Sequence, residues 1–390
     1  MHKLRQIFTK LVNCYSIFAA SNQFPEKQRE GVKMPIHLFD FSDEEFKHII
    51  SQPQFALPIR WDGQNFEVTL GNLFCNYRDA ISTEIDLSMG DKFSDAEDDI
   101  RKLCSDLLEC VKLYHKGFPS RAFEVIEKIM GTLVSAPLNI YQDLGWCEPF
   151  YCHDLELFRL RKATDTASHE RKEMFHVPAS MRSLVSTCRY SIAGYPSLYL
   201  TTSVELGLEE LGADENALVS SYRLVKPGKM IQKIDILDLG IKPQDFTGEG
   251  AETSRRFQSG LNRRQLSTQE VQARYLLWYP VIAACSFIRA YKSRPFASEY
   301  IVPQLIMQWL RRFGCGKDLM GIRYFPCASI RASDLGFDYV FPVSSIPTGG
   351  EYCSDLQSHF ELTMPVYCKD FPSAEKCEAF LRNHGIFNKI

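Results

Sequence analysis

The hydrophobic pattern of this chain changes near residue 150. From about residue 95 to residue 133, apolar residues recur three and four positions apart, which predicts two long amphipathic helices. Beyond residue 150, short strand-like runs alternate with helical ones. A chain of 390 residues is also long for one domain. We therefore predict an α+β protein in which a mainly helical domain over residues 35–150 precedes a second domain over residues 151–390.

The second half is predicted to alternate strands with helices. Strands are expected at Leu198–Thr201, Leu218–Val225, Met230–Leu237, Ile322–Phe325, Tyr339–Val343 and Phe360–Leu362. Helices are expected at Val204–Leu211, Thr268–Tyr291, Ser298–Phe313 and Ala374–Arg382. In the first half, the irregular segment before the long helices is expected to contain a strand near Phe66–Leu70.

The first 34 residues are predicted to form an N-terminal extension. Lys3 and Arg5 precede an apolar stretch, but Lys10 and Asn13 interrupt it, whereas secretory signals keep that stretch apolar. No uninterrupted apolar run approaches the length that spans a bilayer. We expect an amphipathic helix or an upstream extension here, with Met34 as an alternative start, and no membrane partner.

Charge and cysteine usage narrow the class of protein. The formal net charge of −3 does not favour nucleic acid as a partner. The 13 cysteines include no CxxC pair and show none of the Cys/His spacing of a zinc site. Buried, reduced thiols in the cytoplasm are the simplest interpretation, and no metal is expected.

Three glutamates lie on one short predicted helix of the second half. At about 100° per residue, Glu205 and Glu209 share one flank, which is typical of a solvated stripe. Glu210 lies on the opposite flank, beside Leu206 and Gly207. The residues alone leave open whether Glu210 lines a binding site or is an ordinary surface glutamate.

Several motifs of the second half occur in a definite order. They are FRLR at Phe158–Arg161, FHVP at Phe175–Pro178, RYSIAGYPSLYL at Arg189–Leu200, and Glu210, eleven residues after Tyr199. In this combination, the segment from about residue 155 to residue 345 resembles the RES domain, which is named for its recurrent Arg, Glu and Ser residues. The resemblance implies an ADP-ribosyltransferase-like fold and the degradation of NAD⁺. The preceding helical region resembles the N-terminal extension of longer family members.

The resemblance implies a role for each residue that matches a family motif. Arg159 and Arg189 match the two family arginines, and planar guanidinium groups suit the pyrophosphate of NAD⁺. Arg161 is a weaker candidate for the first of these roles. Tyr199 matches a strand tyrosine that would stack on nicotinamide or position its ribose, and Tyr190 would support it.

Glu210 matches the family's glutamate and is the predicted catalytic carboxylate. Breaking the nicotinamide–ribose bond develops an oxocarbenium-like cation, which a nearby carboxylate stabilises. The family serine follows a GIxY strand, but here Gly321–Tyr324 leads to Pro326 at the expected position. Ser329 is the nearest substitute for the catalytic serine and would be displaced by a local bulge.

The resemblance thus predicts an NAD⁺ glycohydrolase or phosphorylase, with water or inorganic phosphate as the acceptor. It would be a bacterial toxin or an anti-phage defence effector, with an antitoxin or a regulatory protein as a partner. A homodimer is the default expectation for assembly. Two alternatives remain open: a protein or nucleic-acid ADP-ribosyltransferase that uses the same site, and a catalytically inactive NAD-binding or interaction module, which Pro326 would favour.

A different chemistry is suggested by Arg171 and His176. They have the Arg-x4-His spacing of helical HEPN ribonucleases, but this spacing is short, arises readily by chance and lies outside the long predicted helices. A structural histidine is therefore the preferred interpretation. The sequence contains no GxGxxG fingerprint and no P-loop, so hydride transfer and nucleoside triphosphate hydrolysis have no support.

Overall fold

The computed structural model contains a helical N-terminal region followed by a mixed sheet with further helices. It describes residues 42–85, 94–135, 156–163, 170–212, 216–225, 235–247, 268–291, 293–314, 319–346 and 350–390. The α+β class is therefore confirmed. The predicted extension over residues 1–34 and the predicted boundary at residue 150 lie outside the described residues, so both stay predictions.

The described helices and strands have the following bounds. The helices are α1 (Asp43–Ile50), α2 (Phe66–Ile85), α3 (Ser94–His115), α4 (Pro119–Ser135), α5 (Val204–Leu211), α6 (Gln244–Thr247), α7 (Thr268–Ala284), α8 (Ile301–Trp309), α9 (Ser354–His359) and α10 (Ala374–His384). The strands are β1 (Leu157–Lys162), β2 (Ser197–Thr201), β3 (Ala217–Leu224), β4 (Asp235–Leu239), β5 (Leu319–Tyr324), β6 (Asp338–Pro342), β7 (Phe360–Leu362) and β8 (Val366–Tyr367).

The first half is more helical than its sequence suggested. The strand expected near Phe66–Leu70 is wrong, because these residues begin α2. Leu70, Phe74, Tyr77 and Ile81 are buried, and their spacing of four, three and four residues places them on one face of a helix. The burial of this face against the other helices stabilises α2. The five residues of the predicted strand were too few to show the helical period.

The predicted long helix Thr268–Tyr291 is confirmed only in part, since α7 ends at Ala284. After this point the chain becomes extended and pairs with Ile59 of the first half. The amide of Ile59 donates to the carbonyl of Ser286 at 3.0 Å, and the amide of Ile288 donates to the carbonyl of Ile59 at 2.9 Å. A bond to a residue more than 200 positions away therefore ends the helix, which local spacing cannot predict.

The eight described strands form one sheet in the order β4-β5-β6-β2-β1-β3-β7, with β8 also paired to β3. Strands β4 and β5 run parallel, and the other described pairs are antiparallel. The predicted strands in this half are recovered, although residues 230–234 of the strand expected at Met230–Leu237 lie outside the described residues. Strand β2 therefore lies in the middle of the sheet, between β6 and β1.

The two faces of the sheet bury different sets of side chains, because alternate residues of a strand point to opposite faces. Ile322 of β5 and Val340 of β6 belong to a core shared with α2, α3, α4, α7 and α8. Tyr339 and Phe341 flank Val340 in β6 and belong to a second core with β3 and β7. The N-terminal helices thus pack against one face of the strand region.

A buried ion pair joins the two parallel strands. Arg323 of β5 donates to both carboxylate oxygens of Asp238 in β4, at 2.9 Å and 2.6 Å, and both side chains are 1% exposed. The amide of Gly240 donates to the same carboxylate at 2.9 Å. This bidentate pair fixes the register between β4 and β5.

Candidate functional site

Helix α5 is held closely against the sheet at its start. Ser203 caps it by accepting a hydrogen bond from the amide of Leu206 at 3.2 Å. A Cβ atom at Gly207 would lie 2.3 Å from Cδ1 of Leu160 in β1. The glycine therefore allows α5 to approach β1 more closely than a residue with a side chain would.

The three glutamates of α5 face different surroundings, as their helical spacing predicts. Glu205 and Glu209 form ion pairs with Arg331, at 2.7 Å and 3.8 Å. Glu210 is exposed, and its carboxylate raises the pKa of the Asp338 carboxyl, in addition to the larger effect of burial. Glu210 thus acts electrostatically on the sheet residue Asp338, whereas the other two glutamates face Arg331.

Asp338 is a residue of the candidate site that the sequence analysis missed. It begins β6, opposite Thr201 of β2 and Tyr324 of β5, and is 6% exposed. Its Oδ2 atom has no hydrogen-bond partner among the described residues. Burial, and then the charge of Glu210, raise the pKa of Asp338 well above its ordinary value. An acidic residue directly before an apolar strand was the available signal.

Ser329 lies near α5 but contacts Glu209. Its hydroxyl donates to Oε1 of Glu209 at 2.8 Å and accepts from the amide of Ala332 at 2.9 Å. The bond to Ala332 belongs to the loop after β5, whereas the bond to Glu209 connects this loop to α5. The predicted catalytic role of Ser329 remains untested.

Arg159 lies on β1, next to the middle of the sheet. Its Nη1 donates to the carbonyl of Tyr199 at 3.1 Å, and its buried Nε has no partner among the described residues. Burial, with a smaller effect of Arg161, lowers the pKa of Arg159 to about 10. The guanidinium thus stays charged at neutral pH and keeps an unused donor.

Arg161 contacts a different part of the chain from Arg159. Its Nη2 donates to the carbonyl of Phe175 at 2.8 Å, which ties β1 to the segment that carries the FHVP motif. Burial lowers the pKa of Arg161. This position agrees with its ranking below Arg159.

Arg189 is enclosed by the protein. Only 7% of it is exposed, and its two Nη atoms donate to the carbonyls of Cys285 at 2.9 Å and Phe287 at 2.7 Å. Its guanidinium also lies 4.9 Å from the centre of the Tyr300 ring. These contacts anchor the segment that follows α7, while the predicted role of Arg189 in binding NAD⁺ remains untested.

Tyr199 and Tyr190, the two predicted stacking residues, are connected by a hydrogen bond. The hydroxyl of Tyr199 donates to the main-chain carbonyl of Tyr190 at 2.7 Å. Tyr199 is partly buried in β2, whereas Tyr190 is fully buried and packs with its ring 4.7 Å from that of Tyr324. Tyr199 is thus the more accessible of the two predicted stacking residues.

Arg171 and His176, the two residues behind the ribonuclease alternative, form hydrogen bonds within the fold. Nε2 of His176 accepts from the amide of Cys353 at 2.9 Å, so Nδ1 carries the proton and donates to the carbonyl of Val177 at 2.8 Å. Arg171 donates to the carbonyls of Leu362 and Ile386, each at 3.1 Å. Both side chains are engaged with main-chain groups, which supports the structural interpretation.

Two classes of feature are absent from the described residues. No group of three or more His, Cys, Asp or Glu side chains there could hold a metal ion. None of the described helices is both long enough and apolar enough to cross a membrane. The expectation that the reaction needs no metal stays a prediction.

Comparison with known proteins gives one distant relative. A protein of Bacillus subtilis (strain 168) named "Putative toxin YopC" is 28% identical over 280 residues, which are 70% of this chain and 60% of that protein. The match thus spans less than two thirds of that relative. No family model matches the sequence, and no solved structure matches it.

Proposed function

We propose that this protein is an NAD⁺-consuming enzyme with an ADP-ribosyltransferase-like catalytic domain. It would break the nicotinamide–ribose bond with water or inorganic phosphate as the acceptor. The observation that carries this proposal is the position of Glu210. It is an exposed carboxylate at the end of a helix packed on β1 and β2, the strands that contribute Arg159 and Tyr199.

Glu210 supplies the negative charge that this reaction requires. As the bond between ribose C1 and the nicotinamide nitrogen breaks, its electron pair leaves with nicotinamide and the ribose carbon becomes cationic. A carboxylate beside this carbon lowers the energy of the transition state. The oxygen of water or phosphate then bonds to C1, and in the case of water a proton is released to solvent or to Glu210.

Arg159 and Tyr199 would hold the substrate. The charged guanidinium of Arg159 has a free donor at Nε, which suits a phosphate oxygen. Tyr199 is a partly buried residue of β2, and nicotinamide would stack on its ring, because an electron-rich ring attracts a cationic heterocycle. The positive charge of the bound nicotinamide already activates it as a leaving group, so no metal is required.

The name of the Bacillus relative supports a toxin role for this chain. An enzyme that depletes NAD⁺ would stop the growth of the cell that makes it, so it would need an antitoxin or a trigger. We propose that the protein acts as a toxin or as an anti-phage defence effector under such control. Transfer of ADP-ribose to protein or nucleic acid would use the same site and differ only in the acceptor.

An inactive NAD-binding module is the second candidate function. The observation that favours it is the pairing of Ser329 with Glu209 at 2.8 Å, because this serine is engaged away from Glu210. Such a protein would bind NAD⁺ without consuming it.

The deciding experiment is NAD⁺ consumption by the full-length protein, with and without inorganic phosphate, beside Glu210→Gln and Glu205→Gln variants. Glu205 lies on the same helix, has a 44% exposed side chain and pairs with Arg331, so it is a matched control. We expect nicotinamide release by the wild type and the control, and a loss of about 100-fold or more in Glu210→Gln.

Each alternative has a distinct outcome in this experiment. Phosphate dependence would identify a phosphorylase, and label from NAD⁺ on a macromolecule would identify a transferase. NAD⁺ binding without nicotinamide release would establish the inactive module. Equal losses in Glu210→Gln and Glu205→Gln, with both folded, would contradict the role of Glu210.

A further inference from the structure

The segment after α7 carries an arginine that the family motifs do not include. Arg289 follows the extended residues that pair with Ile59, and its side chain is partly exposed. Its Nη2 donates to the main-chain carbonyl of Arg294. Its Nε is buried and has no partner among the described residues.

Arg289 and Arg159 share one condition. Each has a buried Nε donor without a partner, as does Arg78 of α2, and neither forms an ion pair with a carboxylate within the described part of the chain. A buried donor without a partner costs free energy, and the cost is larger when the donor belongs to a charged group. Two such donors point to an anionic ligand that completes them.

A chain of contacts connects Arg159 to the segment that carries Arg189. The Nη1 atom of Arg159 donates to the carbonyl of Tyr199 at 3.1 Å, and the hydroxyl of Tyr199 donates to the carbonyl of Tyr190 at 2.7 Å. Because Tyr190 directly follows Arg189, Arg159 lies two hydrogen bonds away from the residue next to Arg189.

Arg189 links these contacts to the segment that carries Arg289. Its two hydrogen bonds to the carbonyls of Cys285 and Phe287 fix the chain just before Arg289. The Tyr300 ring contacts both guanidinium groups, with Arg189 at 4.9 Å and Arg289 at 5.3 Å from its centre. Arg189 is nearly enclosed, whereas Arg289 keeps a donor for a ligand.

We propose that Arg159 and Arg289 together bind phosphate oxygens, either those of the diphosphate in a dinucleotide or those of inorganic phosphate as the acceptor. Phosphate oxygens accept charge-assisted hydrogen bonds from guanidinium donors, and two such groups in one site bind an anion much better than one. The inference rests on the proposed function for the identity of the dinucleotide. The anion site itself requires no turnover.

The test measures binding of ADP-ribose and of inorganic phosphate by isothermal titration calorimetry to the full-length protein. The variants are Arg289→Gln, Arg159→Gln and Arg294→Gln. Arg294 is exposed and stacks on Tyr291 at 3.5 Å. Because only its main-chain carbonyl contacts Arg289, Arg294→Gln is the matched control. Thermal melting establishes that each variant is folded.

We expect Arg289→Gln and Arg159→Gln each to weaken binding by about tenfold or more, and Arg294→Gln to leave it unchanged. Weaker binding of ADP-ribose would place the dinucleotide diphosphate between the arginines, and weaker binding of phosphate alone would place the acceptor there. The proposal is overturned if wild type binds neither anion, or if folded Arg289→Gln binds both as well as wild type.

The two proposals fail in different ways. If wild type binds ADP-ribose through Arg289 but releases no nicotinamide from NAD⁺, the catalytic proposal fails and the anion site stands. If wild type consumes NAD⁺ and Arg289→Gln shows unchanged binding and an unchanged KM, the anion site fails and the catalytic proposal stands.

Discussion

The hydroxyl of Ser329 donates a 2.8 Å hydrogen bond to the carboxylate of Glu209, the residue next to the candidate catalytic Glu210. The same hydroxyl accepts from the amide of Ala332 at 2.9 Å and so caps the turn that follows. One serine therefore connects the loop after β5 to the outer flank of α5. These two hydrogen bonds give Ser329 a structural role, which is distinct from the predicted catalytic one.

Replacing Ser329 by alanine tests whether its role is structural or catalytic. Loss of the cap and of the bond to Glu209 should lower the free energy of unfolding by about 1 kcal/mol, with NAD⁺ consumption reduced far less than in Glu210→Gln. Denaturant unfolding and nicotinamide release are the measurements. A double-mutant cycle with Glu209→Gln should show a coupling energy of about 0.5–1 kcal/mol. A 100-fold loss of activity in stable Ser329→Ala would assign the serine to catalysis.

The raised pKa of Asp338 predicts a change of stability with pH. A carboxyl whose pKa is raised in the folded state favours folding fully below its unfolded pKa of about 3.9, and this contribution is lost as pH rises through the folded pKa. The neutral Asp338→Asn variant avoids this loss, so its stability relative to wild type should increase from about pH 4 upward.

Melting temperatures from pH 4 to pH 8 check the Asp338 prediction. Asp370→Asn is the matched control for the replacement of a carboxylate, because Asp370 is exposed. Removing the charge of the nearby Glu210 by Glu210→Gln should reduce the pH dependence of wild type, since burial and Glu210 both raise the pKa of Asp338. A constant difference between Asp338→Asn and wild type across this range would contradict an uncharged Asp338.

His176 should make the protein sensitive to acid. Burial lowers the pKa of His176 to about 4, while the unfolded value is about 6.5. The neutral imidazole makes its full contribution to the free energy of unfolding above about pH 6.5. This contribution, about 3 kcal/mol at most, is lost as the pH falls towards 4. Protonation would also place a hydrogen on Nε2, which accepts from the amide of Cys353.

Urea unfolding at pH 7 and pH 4.5 tests this expectation on wild type, His176→Gln and His48→Gln. His176→Gln should be less stable at neutral pH but should lose less stability on acidification. His48→Gln is the matched control for the replacement of a histidine, because His48 is exposed on α1. An NAD⁺-independent ribonuclease activity that disappears in folded His176→Gln would instead revive the HEPN alternative.

Gly321 should tolerate no side chain. A Cβ there would lie 2.7 Å from the carbonyl oxygen of Val340 and 2.8 Å from Cδ1 of Phe341. Because the first contact is with the backbone of the paired strand β6, Gly321→Ala should cost about 1–3 kcal/mol. Gly131→Ala on α4 is the control: nothing lies within 4 Å of its Cβ position, so alanine should stabilise that helix by about 0.5–1 kcal/mol. Thermal melts of both variants decide the matter.

Elements fixed by short-range spacing could be predicted from the sequence. Helix α5 has the predicted bounds, Val204–Leu211, because its apolar residues, its serine cap and its terminal glycine all lie within ten residues. The division of its glutamates into two flanks follows from the same geometry. The strand Phe66–Leu70 was wrong, since the long-range burial of one face decides for helix α2.

The sequence by itself determined the α+β class and the strands β2 and β6, and its resemblance to the RES domain singled out Glu210 as the candidate carboxylate. The tertiary structure decided what each polar group contacts. Arg189 is enclosed by carbonyls nearly 100 residues away, and Ser329 reaches Glu209 across 120 residues. Such partners depend on how strands and helices pack, and no local pattern records them. Likewise, the pairing of β6 with β2 and β5 places Asp338, and the pairing with Ile59 places the segment that carries Arg289.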